Sequence, residues 1–137
     1  MATYPVKEIS DIGPDDAGLL KSAGIRTTGR LLDAAKNPKG RKLLAGKIGI
    51  TEKRILSWAN TADRMRIKGI GSEYADLLQA AGVDTVKELK YRNPQKLVEA
   101  MAQINAKRKL ARVMPSPRAV ERWVEQAKRI PLKITYR

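Results

Sequence analysis

Apolar residues recur at helical spacing along almost the whole chain, and no window except residues 132–136 alternates apolar and polar positions as a half-buried strand would. Two stretches carry a well-defined apolar face, and their apolar positions are 55, 58, 59, 62 and 65 in one and 120, 123, 124, 127 and 130 in the other. Each predicts a helix with one buried side. Trp58 and Trp123 lie on these faces, so we expect them to anchor the core rather than to stack on nucleobases. The pattern predicts an all-α fold.

Helix-starting residues divide the chain into eight helices, four in each half. Asn or Thr before a helix supplies a side-chain cap, and Pro suits the first helical position. The predicted starts are at Pro14, Thr27 or Thr28, Asn37-Pro38, Thr51, Ser72, Thr85, Asn93-Pro94 and Ser116-Pro117. Gly24 and Gly82 are expected to end the first helix of each half. Glu88 follows Thr85 by three residues, which predicts a capping box.

The two halves are copies of one pattern. Residues 9–31 align with residues 67–89 at an offset of 58, with ten of 23 positions identical. Residues 51–64 align with residues 116–129 at an offset of 65, which superposes Trp58 on Trp123. A duplication of this extent predicts two tandem repeat units, residues 1–66 and 67–130, packed into one compact helical domain. Residues 131–137 are expected to form an extended basic tail.

The chain is strongly basic, and the excess belongs to both halves. It holds 28 Lys and Arg against 14 Asp and Glu, a formal net charge of +14. Residues 1–66 contain 13 basic and 7 acidic residues, and the remainder contains 15 and 7. An excess of this size points to polyanionic partners. It favours phosphate contact by two exposed clusters, which comprise Lys36, Lys39, Arg41, Lys42 and Lys47 in the first half and Lys107, Arg108, Lys109 and Arg112 in the second.

The absence of two residue types restricts the chemistry. The sequence contains no Cys and no His, which excludes disulfides and thiolate metal sites and removes the commonest general base. We therefore expect no catalytic residues, no metal, no cofactor and no small-molecule substrate. No apolar run approaches the roughly 20 residues of a membrane span. The expected protein is non-enzymatic and cytoplasmic, and nucleoid-associated if DNA is its target.

The second hairpin, which we define as residues 67–71, is the main candidate site. Its sequence, IKGIG, leads directly into the helix that starts at Ser72. Glycines permit tight turning and close approach of a partner to the backbone. A helix N-terminus adds unpaired N–H groups and a positive dipole end, which suit a phosphate. Ile70 should point into the core, Lys68 should add a cation, and Ser72 should cap the helix.

The second hairpin resembles the helix-hairpin-helix motif, in which an apolar residue, Gly, an apolar residue and Gly precede a helix with Ala and Leu on its inner face. The matching residues are Gly69, Ile70, Gly71, Ala75 and Leu78. Residues 7–130 are similar to an uncharacterised bacterial domain-of-unknown-function family of tandem helix-hairpin-helix domains. The resemblance implies that each half is a double helix-hairpin-helix unit and that the chain binds nucleic acid, without naming a target.

The other turns match the motif less well. The first hairpin, residues 9–13, has Asp11 in place of the first Gly, and Asp15 and Asp16 follow it, so it is expected to be structural. The turn at residues 46–50 precedes Thr51 and is the second candidate phosphate site, with Lys47, Gly49, Lys53 and Arg54 as its contacts. Its counterpart at residues 112–118 keeps the cations but lacks glycine, which disfavours close approach of a phosphate to the backbone there.

Duplex DNA, held largely without regard to sequence, is the favoured partner. The chain has no Phe and four Tyr, which argues against a dedicated single-strand platform. Structured RNA stays open because phosphate-led binding resembles DNA binding. A protein-interaction module is the main rival, since the first hairpin is acidic. A DNA lyase that uses one of the many lysines is a further alternative, and the sequence leaves the oligomeric state undetermined.

Overall fold

The fold is all-helical, as the apolar pattern predicts. The computed structural model describes residues 2–137, and within them eight α-helices follow a short 3₁₀ turn at Val6–Glu8. The helices are α1 (Pro14–Ser22), α2 (Thr28–Ala35), α3 (Pro38–Ile48), α4 (Glu52–Arg64), α5 (Ser72–Ala80), α6 (Val86–Lys90), α7 (Pro94–Arg108) and α8 (Pro117–Arg129). No strand occurs in this part of the chain, and residues 5 and 27 form one isolated antiparallel bridge.

Most of the predicted helix starts are confirmed, together with the side chains that cap them. Asn37, Thr51, Asn93 and Ser116 each accept a hydrogen bond from a backbone N–H in the first turn of the helix that follows. Such caps satisfy donors that have no partner inside the helix. Gly24 and Gly82 lie just beyond α1 and α5 with φ of +82° and +90°, so both helices end where glycine allows the left-handed turn.

The predicted capping box at α6 does not form. The Thr85 hydroxyl donates to the Glu88 carboxylate instead of accepting from the helix backbone. Asp63, at the end of α4, accepts from the Val86 N–H at 2.8 Å and thereby caps α6 from a distant part of the chain. A charged carboxylate is the stronger acceptor for a helix N-terminus, and its position is fixed by tertiary packing.

One core runs through both halves. In the first half α2 and α3 pack on α4, and in the second half α6 and α7 pack on α8. The predicted apolar faces of α4 and α8 are buried except at Ile130, which is half-buried. Trp58 is fully buried and Trp123 is 3% exposed, which confirms both as core residues. The buried apolar residues form a single cluster that extends from Val6 to Ala127. The two repeat units therefore share an interior.

The C-terminal end of α4 joins the halves through buried polar groups. Arg64 is fully buried, and its guanidinium donates to the carbonyl oxygens of Ala75, at 2.9 Å, and Asp84, at 2.7 Å, in the second half. Desolvation lowers the pKa of Arg64 to about 10, although nearby carboxylates oppose that shift. The guanidinium stays charged at neutral pH, so its donors hold the α5–α6 region against α4.

The C-terminal tail lies against the first half. Residues 131–137 contain neither helix nor strand. The Thr135 N–H donates to the Lys36 carbonyl at 2.7 Å, and the Arg41 guanidinium donates to the Thr135 carbonyl at 2.7 Å. Lys133 forms an ion pair with Asp33 at 3.1 Å. The final residues thus connect α8 back to α2 and α3.

Candidate nucleic-acid interface

The second hairpin is a tight turn fixed by two buried isoleucines. Ile67 and Ile70 are fully buried, and the Ile70 N–H donates to the Ile67 carbonyl at 3.1 Å. Lys68 and Gly69 are exposed between them. Gly69 has φ of +98°, a conformation that favours glycine. The prediction that Ile70 locks the hairpin into the core is confirmed, and the lysine and first glycine are left on the surface.

Helix α8 supports the hairpin from behind. The Gln126 amide accepts from the Lys68 N–H at 3.0 Å and donates to the Lys68 carbonyl at 3.3 Å, so it holds both backbone polar groups of Lys68. The Trp123 indole nitrogen lies 3.0 Å from the point where a Cβ on Gly69 would stand. Neither residue was a sequence candidate for the site. Nothing in the local pattern of α8 distinguishes Gln126 from its solvent-facing polar neighbours.

The helix that follows the hairpin begins with free backbone donors. Gly71 is the N-cap of α5, and no side chain accepts a hydrogen bond there, so the prediction that Ser72 caps the helix is wrong. Ser72 is instead the first helical residue. Within residues 2–137 the N–H groups of Gly71, Ser72 and Glu73 make no hydrogen bond to the protein.

Gly71 is open but not strained. Its φ is −92°, so only Gly69 of the two glycines has the positive φ expected of the turn. A Cβ at Gly71 would meet no heavy atom within 4 Å. The free space faces an open cavity of about 550 Å³ that Gly69, Gly71 and Ser72 help to line. A ligand can therefore reach the first turn of α5.

An arginine and two carboxylates surround this cavity. Arg112 is 91% exposed at its side chain and forms an ion pair with Glu73 at 3.1 Å. Glu73 also accepts from the Arg112 backbone N–H at 2.7 Å, and these hydrogen bonds hold the pKa of the Glu73 carboxyl below its usual range. Glu8 lines the cavity as well. Arg112, a predicted phosphate contact, thus lies beside the second hairpin, but it already forms an ion pair with Glu73.

The first hairpin is occupied by its own carboxylate. Asp11, the residue equivalent to Gly69, accepts from the Trp58 indole N–H at 3.0 Å. Arg54 pairs with Asp16 in the first turn region of α1 at 2.7 Å, and its guanidinium lies 5.1 Å from the centre of the Trp58 ring. These contacts agree with a structural role for the first hairpin. They also show that Arg54, a predicted phosphate contact, already has an anionic partner.

The turn between α3 and α4 is exposed and short. Gly49 has φ of +74° and ends α3, and its N–H donates to the Ala45 carbonyl at 2.9 Å. Its own amide is therefore not available to a ligand. Lys47 and Lys53 flank the turn and are exposed. Both lysines are therefore open to solvent near this turn.

The corresponding loop in the second half is longer. Lys109 ends α7 with φ of +52°, and six residues lie between it and the Ser116 cap, against one residue between Gly49 and Thr51. Asn105 fixes the loop by exchanging hydrogen bonds with the Ala111 backbone at 2.9 and 3.0 Å. The Tyr74 hydroxyl donates to the Val113 carbonyl at 2.9 Å, which places the loop against α5.

The predicted cations of this second loop separate in space. Lys107, Arg108 and Lys109 are all exposed. Arg108 lines a cavity that Asp11 and Asp76 also line, so it lies near the first hairpin. Arg112 lies beside the second hairpin instead. The sequence cluster is therefore divided between two surfaces.

Most of the positive charge is at the surface. Among the 28 basic residues only Arg41, Arg64 and Arg66 are buried. Arg41 was expected in a phosphate-binding cluster, but its guanidinium donates to the carbonyls of Ala35 and Thr135, and desolvation lowers its pKa. That expectation is wrong because the tail covers the residue. Five ion pairs join residues in the described part of the chain, which leaves most exposed cations without a carboxylate partner.

Comparison with known proteins identifies a family match but no structural match. The sequence model of one family, described as a domain of unknown function (DUF4332), matches residues 10–130. No solved structure matches the chain. Within residues 2–137 no helix is both long and apolar enough to cross a membrane.

Proposed function

We propose that this chain, which belongs to the DUF4332 family, is a non-catalytic protein that binds double-stranded DNA largely independently of sequence. In this proposal the second hairpin binds one phosphate through backbone N–H groups at the start of α5. Lysines and arginines on both halves contact further phosphates. The two halves act as helix-hairpin-helix units, each of which presents helix N-termini to the nucleic acid.

The observation that carries the proposal is the open first turn of α5. Gly71 and Ser72 carry N–H groups without acceptors, and Gly69 and Gly71 have no side chains to keep a phosphate away. The helix dipole and nearby Lys68 favour an anion at this point. Glu73 opposes it, but Arg112 neutralises that carboxylate by a direct ion pair.

The surface charge supports a polyanionic partner. A net charge of +14 with few ion pairs attracts phosphate over a long range, and the gain comes largely from counterion release. Backbone N–H groups and lysines contact phosphate oxygens, which are the same for every base pair. Binding through these groups is therefore expected to depend weakly on sequence and strongly on salt.

The test is a titration of fluorescent duplex DNA at several salt concentrations. If about 4–8 phosphates are neutralised, log K should fall against log salt with a slope of roughly −4 to −7. Duplexes of unrelated sequence should give the same slope and similar affinity. Duplex RNA and single strands serve as competitors in the same titration.

Three outcomes contradict the proposal. Absence of binding at low salt, or a slope near zero, would remove nucleic acid as the partner. Stronger competition by duplex RNA than by duplex DNA would replace DNA with structured RNA. Trapping of a covalent complex by borohydride on abasic DNA would show lyase chemistry and contradict the non-catalytic assignment.

A further inference from the structure

The first half contains an indole N–H that is satisfied by a carboxylate. Trp58 is fully buried on α4, and its Nε1 donates to the Asp11 Oδ2 atom at 3.0 Å. Asp11 belongs to the first hairpin, so an anionic oxygen of the protein itself occupies this turn. Because the two halves are copies of one pattern, this contact can be compared with the surroundings of the equivalent indole in the second half.

The equivalent indole N–H in the second half has no such acceptor. Trp123 corresponds to Trp58, and Gly69 corresponds to Asp11. Trp123 is 3% exposed, and no group within residues 2–137 accepts a hydrogen bond from its Nε1. Within the described residues this nitrogen is not one of the fully buried polar atoms that lack a partner, so it reaches solvent beside the turn. An indole N–H that is open to solvent, at a turn whose counterpart holds a carboxylate, is therefore available to an oxygen from outside the protein.

Gly69 lies directly beside this indole N–H. The point where its Cβ would stand is 3.0 Å from Trp123 Nε1, so a side chain at Gly69 would crowd the indole nitrogen, and glycine keeps the N–H accessible. Gly69 also lines the open cavity at the start of α5, together with Gly71 and Ser72. Solvent and small anions can reach this cavity.

We propose that Trp123 is a further ligand-binding residue, and that its indole N–H donates to an oxygen of a phosphate bound at the second hairpin. The external oxygen takes the place that the Asp11 carboxylate takes in the first half. The free backbone N–H groups at the start of α5 hold other oxygens of the same group. This inference rests on the proposed phosphate contact of the hairpin and adds a side-chain donor to it.

The direct test follows the two indole N–H signals in a ¹H–¹⁵N correlation spectrum of the wild-type protein. The Trp58→Phe variant assigns them. In the free protein the Trp123 proton should exchange with water faster than the Trp58 proton. Addition of a short DNA duplex should shift the Trp123 signal and slow its exchange, and it should leave the Trp58 signal in place. Inorganic phosphate, titrated separately at constant ionic strength, should shift the same signal at higher concentration.

A matched pair of variants tests the energetic role. Trp123→Phe removes the N–H and keeps an aromatic ring, and it should weaken duplex binding about 3- to 10-fold in the folded protein. Trp58→Phe makes the same change in the other half, and it should lower the melting temperature without changing affinity. Equal affinity of wild type and a folded Trp123→Phe variant would overturn the proposal.

Failure of this inference can be distinguished from failure of DNA binding. Duplex binding with an unmoved Trp123 signal would overturn the indole contact while the protein remains a DNA-binding protein. A shift with inorganic phosphate but no binding of duplex would support the phosphate site and contradict the DNA assignment. No shift with either probe would overturn the site itself.

Discussion

The two hairpins start from similar sequence and reach different chemical states. In the first, the Asp11 carboxylate accepts from Trp58, and Arg54 pairs with Asp16 nearby. In the second, Gly69 replaces the carboxylate and leaves the indole of Trp123 beside an open cavity. The same turn between helices can therefore be closed by an internal anion or left open to an external one.

A second difference concerns the later turn of each half. The α3–α4 turn is minimal and ends α3 with Gly49. The α7–α8 loop is longer, and it reaches α5 through the Arg112–Glu73 ion pair and the Tyr74 hydroxyl. The longer α7–α8 loop thus makes contacts beside the open hairpin, and the first half has no equivalent of these contacts. The difference teaches that the second half builds additional contacts around an open hairpin, while the first hairpin is closed by internal pairs.

The largest effect is expected when the two halves are separated. We expect a fragment of residues 1–66 to lack cooperative unfolding, because it loses the second-half backbone groups that pair with Asp63 and Arg64 and the tail that covers Arg41. A core of about 65 residues is also marginal by itself. Circular dichroism during heating checks this. A sharp melt of the fragment would show that the first half is an independent unit.

The next largest effect is expected from substitution of Arg64, the buried arginine that joins the two halves. Arg64→Met should lower the free energy of unfolding by about 2–5 kcal/mol, because it leaves two carbonyls in the second half without their donor. Arg129 is the equivalent position in the repeat and is exposed. Arg129→Met should change stability by less than about 0.5 kcal/mol. Urea denaturation of both variants measures the difference, and equal effects would contradict the role of Arg64.

Substitution of the glycines in the second hairpin should change stability less than substitution of Arg64. Gly69→Ala should cost about 1–3 kcal/mol, because φ is +98° and the new Cβ would lie 3.0 Å from the Trp123 indole. Gly71→Ala should be nearly neutral, since φ is −92° and nothing lies within 4 Å. Thermal melts compare the two. Loss of stability at Gly71 as large as at Gly69 would mean that the turn differs from the structure.

The smallest expected effect is on binding, and it compares the open hairpin with the closed one. Gly71→Val should weaken duplex binding about 3- to 10-fold, or roughly 0.7–1.4 kcal/mol, because the added methyls obstruct phosphate approach without removing charge. Gly13→Val should leave affinity unchanged. Fluorescence anisotropy measures both after circular dichroism confirms folding. Equal affinities would mean that the hairpins only shape the fold and that the lysines and arginines bind the DNA.

Gly49 extends the same measurement to the α3–α4 turn. We expect Gly49→Val to weaken binding as Gly71→Val does if this turn is a second phosphate site. Because Gly49 has φ of +74°, the variant must first be shown to fold, and Lys53→Ala provides a test without backbone strain. An unchanged affinity and salt slope for Lys53→Ala would remove this turn from the interface.

The sequence by itself was sufficient for the fold class, the eight helices and the buried faces of α4 and α8. These features depend on local properties: apolar spacing at the helical period, Asn, Ser or Thr before a helix, and glycine after it. The duplication was equally readable, because identical residues recur at constant offsets. The burial of Ile70 also followed, since the hairpin offers one apolar residue between two glycines.

Only the tertiary structure decided which polar residues are available to a partner. Arg41 resembled any surface cation until the tail, almost a hundred residues later in the chain, covered it. Asp63 replaced Thr85 as the cap of α6, and Asp11 became the acceptor of Trp58, through hydrogen bonds across 23 and 47 residues. Such pairings depend on where helices meet in space, and a periodic pattern within one helix carries no information about the partner that another helix will bring.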